Sequence, residues 1–245
     1  MAEAWRSATA STLARALPRR ERVTNPRPGG TNLKSSRVPV VHAVTSDEIV
    51  GRADFIDVAC AVMGALGARG ALHLRAGHLT GARMQELGEA LAAAQEITGA
   101  WLVVNDRVDV ALAVRARAAQ LTSRSLLMAD ARRAAPALAL GASVHTVAEG
   151  VEATENGADW LVAGHVFAAT IMPGEQGEGM AFVERLVAAT AVPLVAIGGV
   201  RPQHCRALRM AGVHGVAVIR GIWDAPNAER AASDYLSCYD DAGVA

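Results

Sequence analysis

Lysine is almost missing from this 245-residue chain, and Lys34 is the only one. Enzymes that form a Schiff base with a carbonyl substrate need a lysine amine in the folded domain. No lysine follows residue 34, so the sequence excludes the Schiff-base aldolases.

Aromatic residues, cysteines and long apolar runs are scarce as well. Aromatics make up 4% of a chain that is 51% apolar, so the core must be built from Val, Leu, Ile and Ala. The three cysteines are too widely spaced for a disulfide framework or a metal cluster, as expected in a reducing cytoplasm. No run reaches the roughly 18 apolar residues of a membrane helix. We expect a cytoplasmic protein without a membrane partner.

The net charge of zero conceals an uneven distribution. Residues 1–37 carry eight of the 24 basic and two of the 24 acidic residues, which leaves 16 basic and 22 acidic residues in the remainder. That remainder lacks the basic excess typical of nucleic-acid binding. We therefore expect no nucleic-acid partner.

Residues 1–37 are rich in Arg, Ser, Thr, Pro and Gly, which predicts a disordered basic N-terminal tail. Ala2–Leu17 could form a short amphipathic helix similar to a transit peptide, although a simple tail or a misassigned start codon is the favoured interpretation. One folded domain is expected over residues 38–245.

From Val38 onward, short apolar runs alternate with helical patterns, which is typical of βαβ units and a parallel sheet. Strands are predicted at Val38–Val44, Gly70–Leu74, Trp101–Val104, Ala118–Leu121, Ala139–Ala142, Trp160–Ala163, Pro193–Ile197 and Gly215–Ile219. Helices are predicted at Phe55–Leu66, Ala82–Ile97, Val108–Val114, Met128–Ala135, Val147–Asn156, Met180–Ala189, Gln203–Ala211 and Ala228–Tyr239. Eight of each predict an α/β fold, a single (β/α)8 TIM barrel. A doubly wound sheet would need a glycine-rich first turn, which is missing.

Two glycine-containing turns follow the last two predicted strands. In TIM barrels these loops commonly bind phosphate, because glycine lets backbone N–H groups approach an anion closely. Arginine adds a guanidinium fork suited to phosphate. We predict a phosphate site at Gly198, Gly199, Ile219 and Arg220; tight turns without a ligand are the alternative.

Polar side chains at other strand ends extend this candidate site. His165 follows strand six and could transfer protons near neutral pH, with a structural hydrogen bond as the alternative. Arg75 ends strand two and could hold a carboxylate or phosphate, or form a surface ion pair. His73 is expected to be a satisfied core histidine, and His145 a neighbour of a helix cap.

The segment Asn105-Asp106-Arg107-Val108-Asp109 opens the helix after strand three. Asn105 or Asp106 could cap that helix. Asp106 and Asp109 could instead contribute to a Mg²⁺ site, which takes one or two carboxylates plus ligand phosphates. The next strand ends without a carboxylate, so neither a metal site nor a cofactor is predicted.

These segments, in this order, resemble the thiamine phosphate synthase/TenI superfamily from Val41 to the last helix. The matching segments are Val41-His42-Ala43-Val44-Thr45, Leu72-His73-Leu74-Arg75, Asn105 to Leu112, Gly141-Ala142-Ser143-Val144-His145, Gly164-His165-Val166-Phe167, Gly177-Glu178-Gly179, Ala196-Ile197-Gly198-Gly199 and Gly215-Val216-Ala217-Val218-Ile219. The resemblance implies a TIM barrel in thiamine biosynthesis whose partner is a small phosphorylated thiazole.

Departures from the synthase pattern separate the two activities of the superfamily. Synthases couple a pyrimidine pyrophosphate to a thiazole phosphate with Mg²⁺, and typically carry Gln-x-Arg-x-Lys where this chain has His73, Arg75 and Gly77. Ser125 stands at the second magnesium aspartate. Met172 stands at a loop lysine that is common to both branches of the superfamily, so this departure also separates the chain from the tautomerases. A departing pyrophosphate needs such charges for stabilisation, so synthase activity is not expected.

The segment containing His165 is instead similar to the TenI-type thiazole tautomerases, which aromatise a thiazole carboxylate phosphate. The resemblance implies that His165 is the base and then the acid of the proton transfer. It also implies a phosphate at Gly199, Ile219 and Arg220, and substrate contacts from Arg75, Asn105, Ser143 and Thr170.

Three hypotheses follow, in order of preference. The first is a TenI-like thiazole tautomerase, an isomerase. The second is a divergent thiamine phosphate synthase that would require Mg²⁺, and the third is a non-catalytic barrel that binds thiazole or thiamine phosphates. Association into a homo-oligomer is compatible with the apolar outer helices.

Overall fold

The computed structural model describes residues 38–167 and 177–241. Within these ranges eight parallel strands close into a barrel in chain order, with β8 pairing β1. The strands are β1 (Val41–Val44), β2 (Gly70–Leu74), β3 (Trp101–Asn105), β4 (Ala118–Leu121), β5 (Ala139–Val144), β6 (Trp160–Ala163), β7 (Leu194–Ile197) and β8 (Gly215–Val218). The predicted (β/α)8 fold is confirmed, while the predicted tail lies outside the described residues.

Helices connect the strands and cover the outside of the barrel. They are α1 (Asp47–Val50), α2 (Phe55–Leu66), α3 (Gly81–Thr98), α4 (Val108–Ala113), α5 (Met128–Ala134), α6 (Val147–Glu155), α7 (Gly179–Ala189), α8 (Cys205–Met210), α9 (Arg220–Trp223) and α10 (Ala228–Asp241). Short 3₁₀ turns precede β2 and α8, at Gly67–Arg69 and Pro202–His204. No helix in the described ranges combines the length and the apolar character needed to cross a membrane.

The structure corrects the predicted elements in three places. The first strand begins at Val41 and not at Val38, and Pro39 lacks the N–H that a ladder requires. The helices α1 and α9 were not predicted, because four residues are too few to show a helical period. The predicted helix Gln203–Ala211 is in fact a 3₁₀ turn followed by α8.

Two apolar layers form the core, one on each side of the sheet. The outer layer packs the helices against outward-facing strand residues. The inner layer contains alternate strand residues, among them Ala71, Trp101, Val103 and Trp160, as the two-residue period of a strand requires. Polar residues also occupy the interior: His42, His73, Asn105 and Gln120 are at most 5% exposed.

The last helix supports the ends of β7 and β8. Helix α10 packs against α2, and the Tyr235 hydroxyl donates to the Val200 carbonyl at 3.1 Å. A Cβ added at Gly221 would lie 2.4 Å from that hydroxyl oxygen. The two turns predicted to bind phosphate therefore rest on the same tyrosine.

Gly141 tests how tightly the barrel interior is packed. A Cβ at this position would lie 2.2 Å from both Gln120 Oε1 and Trp160 Cε2. Cβ atoms in proteins essentially never come this close to another heavy atom. We expect Gly141→Ala to lower the free energy of unfolding by about 1–3 kcal/mol, since overpacking forces neighbours to move. Urea unfolding measures the change, with Gly77→Ala as the control because its nearest atom is 3.7 Å away. Equal stability of the two variants would contradict the tight packing.

Candidate active site

The loops that follow β6 and β7 are bonded to each other. Val166 N–H donates to the Ile197 carbonyl at 2.8 Å, and Phe167 N–H donates to the Gly198 carbonyl at 3.0 Å. A Cβ added at Gly198 would lie 2.3 Å from the Cβ of His165. The structure thus places His165 directly against the glycine turn, as the position of both after neighbouring strands predicts.

The segment around His165 is also held from its other sides. Glu178 N–H donates to the His165 carbonyl at 3.0 Å. His145 Nδ1 donates to the Gly164 carbonyl at 2.6 Å, while its backbone N–H bonds the carboxylate of Glu149 in the capping box of α6. The prediction of His145 as a neighbour of a cap is confirmed, but its ring also supports the His165 segment, which the sequence did not indicate. His165 is half-buried, with Nε2 shielded from solvent.

The predicted phosphate residues form two adjacent turns. Gly198 and Gly199 have φ values of +96° and +61°, a conformation that side chains with a Cβ rarely adopt. The first N–H groups of α9 belong to Arg220 and Gly221, and the start of a helix leaves such groups without intrahelical partners. The Arg220 side chain is exposed and has no ion pair within the described residues. Phosphate binding by these residues stays a prediction.

Arg75 is positioned through its backbone. The buried Thr45 Oγ1 accepts the Arg75 N–H at 2.9 Å, and the Asp47 carboxylate accepts the N–H groups of Gly77 and His78 at 3.1 and 2.8 Å. Desolvation raises the pKa of Asp47, but the bonds from His78 and Gly77 outweigh it and hold that pKa below its ordinary value. The guanidinium of Arg75 forms no ion pair within the described residues, so the alternative of a surface ion pair finds no support there.

The other predicted substrate residues lie at neighbouring strand ends. Asn105 is the last residue of β3, and its amide oxygen Oδ1 lies 3.2 Å from His73 Nδ1. Ser143 Oγ, near the end of β5, accepts from Gln120 Nε2 at 3.0 Å. Thr170 lies outside the described residues. The substrate-binding roles of these residues stay predictions.

Asp106 does not cap the following helix, and the prediction that it or Asn105 would do so is wrong. The N-cap of α4 is Arg107, which makes no side-chain cap bond. Asp106 has φ +63°, and its Oδ1 instead accepts the hydroxyls of Thr122 and Ser125, both at 2.5 Å. Asp106 thus has a left-handed backbone conformation, and its side chain contacts the loop after β4 instead of the start of α4.

A two-carboxylate magnesium centre of the kind that synthases use does not fit these residues. Asp106 Oδ1 is engaged by two hydroxyls, and Asp109 is paired with Arg107 at 2.6 Å. Within the described ranges, no group of three or more His, Cys, Asp or Glu residues could hold a metal ion.

A buried pair of histidines lies beneath the site. His42 Nδ1 is 2.8 Å from His73 Nε2, and His42 Nε2 donates to the Pro39 carbonyl at 2.9 Å. His73 is therefore a satisfied core histidine, as predicted. Desolvation by burial lowers the pKa of His42 to about 4 and that of His73 well below its ordinary value. The pairing of His42 with His73 could not be predicted from the sequence.

These features define a class: TIM barrels whose candidate site combines a glycine turn with a histidine at the carboxyl ends of the strands. The match to a family is more specific. The chain belongs to the thiamine monophosphate synthase (TMP-TENI) family, whose model matches residues 41–222.

Individual relatives agree with this assignment. The chain is 34% identical over 165 residues to the thiamine-phosphate synthase of Pyrococcus horikoshii, covering 67% of this chain and 80% of that protein. It is 36% identical to the thiamine-phosphate synthase of Methanoculleus marisnigri, covering 73% of this chain and 85% of that protein. The solved structure of a thiamine phosphate pyrophosphorylase from Pyrococcus furiosus is similar with a TM-score of 0.73 at 30% identity, over 85% of this chain and all of that one.

The buried histidine pair predicts sensitivity to acid. Both folded-state pKa values lie below the ordinary value of 6.5. Between pH 6.5 and about 4, these histidines are therefore protonated in the unfolded chain but remain neutral in the folded chain. The contribution of these histidines to the free energy of unfolding is fully present above pH 6.5. It falls as the pH decreases, by up to about 1.4 kcal/mol per pH unit for each histidine.

Urea unfolding at pH 7, 6 and 5 measures this loss. We expect His42→Gln to reduce the dependence on pH, because one proton-binding group is gone. His78→Gln replaces an exposed ring and should retain the full loss. An equal slope for His42→Gln and the unaltered protein would contradict the assignment.

Proposed function

We propose that the protein is an isomerase of thiamine biosynthesis, a TenI-like thiazole tautomerase. The observation that supports this proposal is the close approach of His165 to Gly198, since a Cβ added at Gly198 would lie 2.3 Å from the His165 Cβ. His165 therefore adjoins the turn that is predicted to bind phosphate. Membership in the thiamine monophosphate synthase family supplies the substrate class.

One histidine can perform both steps of the reaction. As a neutral imidazole, His165 would remove the proton from the ring carbon that bears the carboxylate. The resulting imidazolium would return a proton to the exocyclic carbon, and the thiazole ring becomes aromatic. An imidazole can act first as a base and then, once protonated, as an acid, so no second acid is needed.

Arg75 and Arg220, which form no ion pair with any residue in 38–167 or 177–241, suit a ligand with two anionic groups. Arg220 adjoins the glycine turn and would bind the phosphate together with backbone N–H groups. Arg75 or Ser143 would hold the carboxylate. Fixing the ligand at both ends would keep its ring within reach of His165.

A divergent thiamine phosphate synthase is the second candidate, and the names of the curated relatives favour it. The loop after β4 opposes it, because Thr122 and Ser125, which donate to Asp106, stand where a second carboxylate would be needed, and Mg²⁺ is usually held by one or two carboxylates together with ligand phosphates. In the synthase reaction the same phosphate turn would bind the thiazole phosphate. The two candidates therefore share one half of the site and differ in the other.

His165→Ala tests the tautomerase directly. We expect it to lower kcat for aromatisation of thiazole carboxylate phosphate by about 10²- to 10⁴-fold, the usual contribution of a general acid or base, with phosphate-ligand affinity changed little. The absorbance change on aromatisation gives the rate, and calorimetry gives the affinity. His214→Ala, at the amino end of β8, is the control and should retain activity. Unchanged kcat in His165→Ala would remove this residue from the mechanism.

Incubation with pyrimidine pyrophosphate, thiazole phosphate and Mg²⁺ separates the candidates. The tautomerase proposal predicts no appreciable thiamine phosphate by chromatography, because Ser125 stands where the second carboxylate of a magnesium site would be needed. Rapid product formation would establish the synthase instead. Tight binding of the thiazole carboxylate phosphate without turnover would identify a non-catalytic barrel.

A further inference from the structure

Two of the three cysteines meet between α8 and α10, although they are 33 residues apart in the chain. Cys205 is the first residue of α8 and is fully buried. Cys238 lies near the end of α10 and is half-buried. Helix α10 packs against α8 and against the 3₁₀ turn Pro202–His204 that precedes it. Neither cysteine belongs to the candidate active site.

One carbonyl group is bonded to both cysteines. The Pro202 carbonyl accepts the backbone N–H of Cys205 and the thiol of Cys238, whose Sγ lies 2.7 Å from the carbonyl oxygen. Burial, and then a hydrogen bond with the Cys238 thiol, raise the pKa of Cys205 to about 12. Burial likewise raises the pKa of the adjacent Tyr235 to about 12, and both thiols contribute to this shift. The two sulfur atoms are therefore neighbours in the folded chain.

The two thiols differ in exposure, and this difference sets the order in which they can react. A thiol attacks a disulfide as its thiolate, and the attack requires access to the sulfur. Cys238 is half-buried, so a small oxidant can reach it. Cys205 is 0% exposed, so no oxidant in solution can reach its sulfur directly. Cys205 can therefore react only with a sulfur that is already bonded to Cys238.

We propose that Cys205 and Cys238 form a modification site, at which a disulfide closes reversibly between α8 and α10 in the presence of a low-molecular-weight disulfide such as oxidised glutathione. The S–S bond of a disulfide is about 2.05 Å long. Two thiols that are already in hydrogen-bond contact need only a small side-chain movement to reach that length. The proposal rests on the two cysteines and does not depend on the reaction that the barrel catalyses.

The reaction consists of two exchanges of a thiol with a disulfide. In the first, the Cys238 thiolate attacks one sulfur of the oxidant, and the other half of the oxidant leaves and takes up the proton, which produces a mixed disulfide. In the second, the Cys205 thiol loses its proton and its sulfur attacks the sulfur of Cys238, which releases the remaining half of the oxidant as a thiol. The two protein thiols are oxidised to one disulfide, and the oxidant is reduced to two thiols.

The cross-link fastens α10 to the segment that follows β7. Tyr235 lies one helical turn before Cys238, and its hydroxyl donates to the Val200 carbonyl at 3.1 Å. The same hydroxyl would lie 2.4 Å from a Cβ added at Gly221, in the turn after β8. The disulfide thus holds in place the helix that supports the turns after both strands. A cross-link of this kind also restricts the unfolded chain, which stabilises the folded protein.

Incubation of the full-length protein with oxidised glutathione tests the proposal, followed by denaturation, alkylation of the remaining thiols and peptide mass spectrometry. We expect one pair of peptides joined through Cys205 and Cys238, an alkylated Cys60, and complete reversal by dithiothreitol. Glutathione that stays bonded to Cys238 beside a free Cys205 would overturn the proposal, because the two sulfur atoms would then be unable to reach each other. Alkylation of all three cysteines would overturn it as well.

Thermal unfolding of the oxidised and the reduced protein tests whether the disulfide fastens α10. We expect the oxidised form to have a Tm higher by about 5–10 °C, the effect of closing a loop of this length in a chain of this size. Cys60→Ala keeps both thiols of the pair and should show the same difference between its two forms, whereas Cys238→Ser should show none. Because each variant is compared with itself, a lower stability of the variant does not affect the result. Equal Tm values for the two forms of the unaltered protein would refute the fastening role.

Discussion

The pairing of β8 with β1 is the constraint on which the rest of the structure depends. It joins Val41 to Val216 and Ala43 to Val218, and so turns a row of parallel strands into a ring. Without it both strands would present unpaired backbone groups, and the loops after β1 and β8 would lie far apart. With it, eight carboxyl ends share one rim, and residues distant in the chain become neighbours. The same closure creates an interior from which water is excluded, where His42 and His73 must satisfy each other.

Charge at the rim is distributed in a consistent way. The carboxylates of Asp47, Asp106 and Asp109 accept hydrogen bonds from protein groups. The guanidinium groups of Arg75 and Arg220 have no such partners within the described residues. Among these five residues of the described rim, the carboxylates have protein partners and the guanidinium groups do not, which favours an anionic ligand.

Family membership and activity are separate questions for this barrel. The match over residues 41–222 establishes the fold, the family and a connection with thiamine biosynthesis. The reaction depends on a few side chains at the rim, since one fold can host several chemistries. Relatives at 34–36% identity can share the phosphate turn and still differ at the residues that bind a metal or move a proton.

The sequence by itself determined the fold class, most strands to within one or two residues, and the residues that would gather at the rim. Apolar runs at regular intervals and glycines after the last strands are patterns of neighbouring residues, and such patterns can be recognised in the sequence without knowledge of the fold. It could not show that His42 faces His73, that His145 supports the His165 segment, or that Asp106 turns to Ser125 instead of capping α4. Each of these contacts joins different strands or loops, and its geometry depends on the register and closure of the sheet. Tertiary structure alone decided them, because a hydrogen bond is fixed by distances that the order of residues does not contain.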